Sequence, residues 1–134
     1  MVARRLASVA VDLAFDSAPD ISFPVREMAG CSVVVAAGEI DIWTCPALRK
    51  ALDAAADSAR RLVIDLTEVT FLDSSGLGVL LDARMRGRHH GPVVLVGVAG
   101  MVRRVLQISG VSDAFHYCAS ADEAAEEPTS EVDA

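Results

Sequence analysis

Two hydroxyls, one carboxylate and two glycines stand together in Asp73-Ser74-Ser75-Gly76-Leu77-Gly78, between an apolar run and a helical pattern. A helix start leaves about four N–H groups without partners and carries roughly half a positive charge. Asp73 or Ser74 can cap those donors. Gly76 and Gly78 keep the first turn small, so another molecule can approach its backbone. A hydroxyl placed here is expected to be exposed and to face free N–H groups. A phosphate attached to it would carry about −1.5 to −2 charge, and helix starts receive phosphate well. Modification should therefore leave the fold intact and alter what docks on the surface. From these residues alone a plain helix cap is a sufficient account, since Ser, Thr and Asp cap many helices. The physics of a helix start accepts either serine.

Nucleophilic catalysis is the weaker chemistry for this stretch. A serine nucleophile needs an adjacent base. The histidines are His89, His90 and His116. His89-His90 would sit at the far end of the helix that Ser74 opens, about 20 Å away at 1.5 Å rise per residue. There is no G-x-S-x-G elbow and no G-x-x-x-x-G-K-[ST] phosphate loop. Cys31, Cys45 and Cys118 form no CxxC pair, so neither zinc nor a thioredoxin-type site is signalled. No catalytic residue, metal or cofactor is expected, and the thiols read as reduced.

The elements that must position this stretch alternate between strand and helix. Ile21 to Glu27 reads as an edge strand, because Pro24 inside it removes a backbone donor. Ala29-Gly30 suits a hairpin turn. Cys31 to Ala36 holds Val33-Val34-Val35, a β-branched run fitted to burial on both faces, and Gly38-Glu39-Ile40-Asp41 ends it. A helix follows, capped by Thr44 or Cys45, with Pro46 in its first turn and Leu48, Leu52, Ala55 and Ala59 as its buried stripe. Lys50, Asp53 and Asp57 lie outside. Arg61 to Leu66 is the next strand and Thr67 to Leu72 a loop. The helix opened by Ser74 is expected to reach about Arg88, burying Leu77, Leu80 and Leu81 and exposing Asp82 and Arg86. Arg84 lies within its apolar stripe, stem on the core and head in water. Pro92 to Val98 is a strand, Ala99 to Ser109 a helix with Gly110 at its end, and Phe115 to Cys118 a last strand. Asp122 to Glu127 can add a helical turn or two. The pattern predicts an α/β fold, with a mixed, mostly parallel sheet of four to five strands and right-handed βα crossovers.

Length and charge bound the rest. The chain has 134 residues, of which 52% are hydrophobic, enough for one domain without metal or disulfide support. Residues 1–20 read as an N-terminal extension with a possible extra strand through Val9, Val11, Leu13 and Phe15. Residues 21–120 form the domain, and 121–134 an acidic tail, its end from Pro128 expected to be unstructured. Nineteen acidic against twelve basic side chains give a net charge of −7. That argues against nucleic acid and favours a basic protein partner. No apolar run reaches the ~18 residues of a membrane span, and Asp12 interrupts the only signal-like stretch. A cytoplasmic protein, monomeric or weakly dimeric, is expected.

Three motifs occur in order: Gly38-Glu39-Ile40-Asp41, then Asp73-Ser74-Ser75-Gly76-Leu77-Gly78, then Val102-Arg103-Arg104-Val105-Leu106-Gln107-Ile108-Ser109-Gly110. Together they resemble the STAS domain of bacterial anti-sigma factor antagonists over about residues 21 to 120. The resemblance implies a single STAS domain that binds an anti-sigma factor with serine kinase activity and so releases a sigma factor. It implies phosphorylation at Ser74 as the off-switch and a phosphatase that restores activity. It makes Asp73 and Ser75 the flanking residues of a partner-binding stretch that continues through Gly76, Leu77 and Gly78. Asp41 and Thr44 match the acidic residue and the threonine of the facing loop. Ile42-Trp43 departs from the polar residues common there. Trp43 either packs over the helix it precedes or anchors a partner, as tryptophan often does at interfaces. The alternative is a non-phosphorylated STAS scaffold in a stress-signalling or lipid-transport assembly.

Overall fold

The computed structural model describes residues 22–56, 60–86 and 91–126. The extension at 1–20, Ile21, Asp57, Ala59, His89-His90 and the tail from 127 lie outside the described residues.

Val33 and Val34 are both fully buried although adjacent side chains of a strand point to opposite faces. The sheet is therefore covered on both sides along this strand. Five strands build it, β1 (Val25–Met28), β2 (Cys31–Ile40), β3 (Arg61–Leu72), β4 (Val94–Val96) and β5 (His116–Cys118), in the order β1-β2-β3-β4-β5. The β1–β2 pair is antiparallel and the other three pairs are parallel. The hairpin turns on Ala29-Gly30, both at positive φ (34° and 85°), the combination a two-residue type I′ turn requires. Pro24 lies just before β1 rather than inside it. Its carbonyl still accepts from the Val35 N–H at 2.9 Å.

Each parallel step needs a crossover. Helices α1 (Cys45–Ala56), α2 (Ser74–Arg86) and α3 (Gly100–Ile108) supply the three. Strands laid down in sequential order with crossovers of one hand place all three helices on one face. The main core shows this, since Leu48 and Leu52 of α1, Leu77 and Leu80 of α2, and Val102 and Leu106 of α3 meet Val34, Ile64 and Leu95 there. The opposite face carries Val33, Val63, Val94, Val96 and Cys118. It is covered by α4 (Ala121–Glu126), whose Ala121 and Ala124 pack onto those residues. Buried Arg61 donates through Nη1 to the Ala124 carbonyl at 2.9 Å, fastening the end of α4 to the start of β3.

Other expectations change as well. Residues 67–72 are not a loop, because β3 runs on to Leu72 beside a β2 that runs on to Ile40. The ladder continues through Ala37–Glu68, Gly38–Val69, Glu39–Phe71 and Ile40–Leu72, with two register shifts. Cross-strand hydrogen bonds thus override the polar composition of Thr67 to Thr70. The expected Pro92–Val98 strand shortens to Val94–Val96. On α2, Leu81 is only partly buried, while Gly76, Val79 and Ala83 complete the buried side. Arg84 is exposed, and its Nε donates to the Ala114 carbonyl at 2.7 Å.

Helices α1 and α2 lie side by side, tied by ion pairs. Arg49 meets Asp82 at 2.5 Å, and Arg86 bridges Asp82 (3.1 Å) and Asp53 (3.3 Å). Asp82 is held below the usual carboxylate range, first by the Arg49 hydrogen bond and then by the charge of Arg86. The N-termini of the two helices therefore open side by side.

Candidate functional site

The extended β2–β3 ribbon builds the site. Its last pair is Ile40–Leu72, so the residues that follow, Asp41 and Asp73, leave neighbouring strands at the same level. The Asp73 N–H donates to the Ile40 carbonyl at 3.3 Å, closing the end of the ribbon. Both segments then turn into helices at the carboxyl edge of a parallel sheet, where α/β folds place their working surfaces.

Asp41 and Thr44 organise the first turn. Asp41 Oδ1 accepts from the Trp43 and Thr44 N–H groups at 2.9 and 3.2 Å. The Asp41 N–H donates to Thr44 Oγ1 at 2.9 Å, and that hydroxyl donates to the Glu39 carbonyl at 2.9 Å. Thr44 thus precedes α1 as expected, but its hydroxyl clamps the turn and does not cap the helix.

Asp73 organises the second turn. Its Oδ1 accepts from the Ser75 N–H (2.9 Å), the Gly76 N–H (3.2 Å) and the Ser75 hydroxyl (2.5 Å). The Leu77 N–H is taken by the Asp73 carbonyl at 3.0 Å. Asp73 is therefore the N-cap of α2, and these bonds, the Ser75 hydroxyl first, hold its carboxyl below the usual range. The Cys45 thiol lies 3.5 Å from Ser75 Oγ, joining the start of α1 to that of α2.

The two serines differ sharply. Ser75 is half-buried, its hydroxyl committed to Asp73 and in reach of Cys45. Ser74 is exposed, and no described residue hydrogen-bonds its hydroxyl. The expectation that this hydroxyl faces free N–H groups is corrected, because Asp73 already occupies those of Ser75, Gly76 and Leu77. No lysine or arginine occurs in residues 37–48 or 62–81, while Glu39, Asp41, Asp65, Glu68 and Asp73 all do. A phosphate on Ser74 would find no cation in these segments and one carboxylate directly beside it.

The glycines also divide. Gly76 is buried, and a Cβ there would stand 2.6 Å from Leu72 Cδ1 and 2.7 Å from Ile40 Cγ2. It admits the ribbon's end, not a visitor, and Leu77 beside it points into the core. Gly78 is exposed with nothing within 4 Å of its Cβ position. Trp43 does not fold back over α1. It is 70% exposed, as is Ile42, and Phe71 near the end of β3 is 39% exposed. Phe71 pairs in register with Glu39 and, alternating with buried Leu72, projects from the sheet face opposite the crossover helices.

A sheet with one antiparallel edge, three crossover helices on one face and a capped serine turn at its carboxyl end define a small α/β domain. The family described as Mlab, STAS domain matches residues 23–116. The chain belongs to the STAS domain family. It is 38% identical over 97 residues to the anti-sigma-B factor antagonist of Listeria monocytogenes, covering 70% of this chain and 85% of that one. It is 35% identical over 101 residues to the anti-sigma-F factor antagonist RsfB of Mycobacterium tuberculosis, covering 74% and 83%. The solved structure of an anti-sigma factor antagonist from Mycobacterium paratuberculosis superposes with a TM-score of 0.69 at 34% identity, over 77% of this chain and 89% of that one.

The Asp73 cap makes a pH prediction. A carboxylate with a depressed folded pKa contributes stability that is present above its unfolded value and is lost as pH falls through the folded one. Urea unfolding across the acid range should show this loss in the wild type. Asp73→Asn keeps a capping oxygen but removes the titration, so its curve should lack that component. Identical pH profiles would mean the cap contributes nothing that depends on charge.

Proposed function

We propose that this protein is an anti-sigma factor antagonist controlled by phosphorylation at Ser74. The form with a free Ser74 hydroxyl binds an anti-sigma factor that is also a serine kinase, and so frees a sigma factor. Phosphate on Ser74 ends that binding, and a phosphatase restores it. Family membership and the names of the relatives support the antagonist role. One observation carries the choice of residue: Ser74 is exposed and unbonded, while the hydroxyl of Ser75 is spent on Asp73. The surroundings support the mechanism. Asp73 caps α2 with or without a phosphate on its neighbour, so the fold does not depend on modification. The phosphate charge is not neutralised by the flanking segments, so the partner must meet it. Beside Asp73 the phosphate adds like charge, and burying the two unneutralised in an interface costs several kcal/mol.

Incubation with the cognate anti-sigma factor and ATP should add one phosphate, mapped by mass spectrometry to Ser74. Ser74→Ala should stay unmodified and bind continuously, while Ser74→Asp should bind about 100-fold more weakly. Aspartate carries one charge, so the phosphorylated protein should bind more weakly still. Label on Ser75, or equal affinities of the two variants, would overturn the assignment. The alternative of a non-phosphorylated scaffold in a lipid-transport or stress-signalling assembly gives an unaccompanied Ser74 hydroxyl no role, and the relatives compared above are antagonists.

A further inference from the structure

Among the described residues, the sheet face opposite the crossover helices is covered over part of its length only. Helix α4 packs where Val33, Val63 and Val94 lie. Strands β2 and β3 run on past it. There the face carries Val35, Ala37 and Glu39, paired in register with Asp65, Glu68 and Phe71. Ala37, Glu39, Glu68 and Phe71 are exposed. An aromatic ring thus lies beside three carboxylates on an open sheet. Among the described residues no ion pair reaches Glu39, Asp65 or Glu68. The basic side chains of this face stand toward its other end, where Arg61 is buried against α4 and Arg26 pairs in register with Val33.

Two segments of the chain could reach this surface, and charge separates them. The tail after α4 brings Glu127, Glu131 and Asp133 and no lysine or arginine, so the carboxylates repel it. The N-terminal segment brings Arg4 and Arg5, followed by Leu6 and Val9, and its first acidic residue is Asp12. The chain path favours the same segment. Strand β1 is antiparallel to β2, with Val25 opposite Val34 and the Pro24 carbonyl on the Val35 N–H. The residues before Pro24 therefore enter the domain alongside the carboxyl half of β2. From Arg5 to Ser22 an extended chain spans up to about 50 Å, whereas Val35 to Glu39 covers about 13 Å.

We propose that the N-terminal segment of this chain docks on the open half of this face, with Arg4 and Arg5 against its carboxylates and the apolar residues after them over Phe71. The contact is made within one chain. It needs no partner, so it stands apart from the antagonist reading. Surface ion pairs are individually weak and screened by salt, and no single carboxylate is essential. Tethering offsets that weakness, because a linked segment meets its site at a high effective concentration. Docking takes the Phe71 ring out of water and gives an unpaired group of carboxylates its cations.

The test places the photocrosslinking residue p-benzoylphenylalanine at position 71 of the full chain, with a second probe at position 37 in case the first disturbs folding. Both positions are exposed, and thermal unfolding checks that each chain remains folded. Irradiation of dilute protein should give crosslinks within one chain, mapped by mass spectrometry to residues 1–20. Their yield should fall as salt rises. Reversing the charges with Arg4→Glu and Arg5→Glu should lower the yield about fivefold. Adding Glu39→Arg and Glu68→Arg to that variant should restore it, which a merely nearby segment would not do. Crosslinks to residues 127–134 or to a second copy would overturn the proposal, as would their absence from both probes. A yield indifferent to charge reversal would overturn the pairing of arginine with carboxylate on which it rests.

Discussion

Gly97→Ala is expected to destabilise the domain by about 2 to 5 kcal/mol, the sum of a strained backbone and an overpacked contact. Gly97 follows β4, and its φ of +73° lies in the left-handed region, which costs other L-residues roughly 1–2 kcal/mol. A Cβ here would also stand 2.1 Å from Thr67 Oγ1, 2.8 Å from Thr67 Cα and 2.9 Å from Thr67 Cβ. The Oγ1 can rotate away, but the Cα is backbone of β3 and can yield only if the strand moves. Overpacking of this kind typically costs about 1–3 kcal/mol. For a domain of this size, about 1 kcal/mol shifts the melting temperature by roughly 4–8 °C, so a fall of about 10 °C or more is expected. Gly110→Ala supplies the control, because Gly110 has φ +74° with open space around its Cβ position. It isolates the backbone part. Equal losses for the two variants would mean that Thr67 accommodates the methyl freely.

The second large effect joins Leu72 and Gly76. Leu72 is 1% exposed at the end of β3, and Leu72→Ala should cost about 2–5 kcal/mol through lost burial and a cavity. Gly76→Ala gains helix propensity of up to about 1 kcal/mol, yet its methyl meets Leu72 Cδ1 and Ile40 Cγ2 well inside contact distance. The clash, at about 1–3 kcal/mol, should prevail. In the double variant the methyl enters the space that Leu72 has vacated, so the combined loss should be smaller than the sum of the single losses. Urea unfolding of the four proteins measures this coupling. Gly78→Ala meets nothing within 4 Å and should stabilise the helix by about 0.5–1 kcal/mol. Strict additivity of Leu72→Ala and Gly76→Ala would show that the helix end shifts instead of pressing on Leu72.

Much of this architecture is readable from the residues themselves. The Val33-Val34-Val35 run, Pro46 and the Leu48–Leu52 stripe announce the βα order, and Asp73-Ser74 marks a helix start. Local chemistry governs those features, so local sequence reveals them. What escaped notice depends on residues distant in the chain. Thr67 to Thr70 look like a loop because the strand across from them supplies their order. Gly76 looks like an opening for a partner because the side chains that need its missing Cβ belong to other elements. Ala121 and Ala124 look too small to matter until a sheet face lies beneath them. For the site, Asp41, Thr44, Asp73 and Ser74 were legible as residues, but not the hydrogen bond that separates Ser75 from Ser74. Nor could the exposure of Trp43 be read, because both fates of that ring satisfy the same sequence.

The two register shifts between β2 and β3 carry a further consequence. Paired residues differ by 30 positions at Cys31–Arg61 and by 32 at Ile40–Leu72, so β3 takes two more residues than β2 to cover the same span. With side chains alternating in period two, one extra residue turns a strand's pattern inside out and a second restores it. That is how Ile40 and Leu72 both finish buried and how Asp41 and Asp73 emerge level. The segment from Leu66 to Thr70 is therefore a phasing device. Its exposed positions Glu68 and Thr70 should accept many changes of residue type over evolutionary time, but the segment should resist a change in length: losing one residue would draw Asp73 back by about 3.3 Å and turn Leu72 toward water.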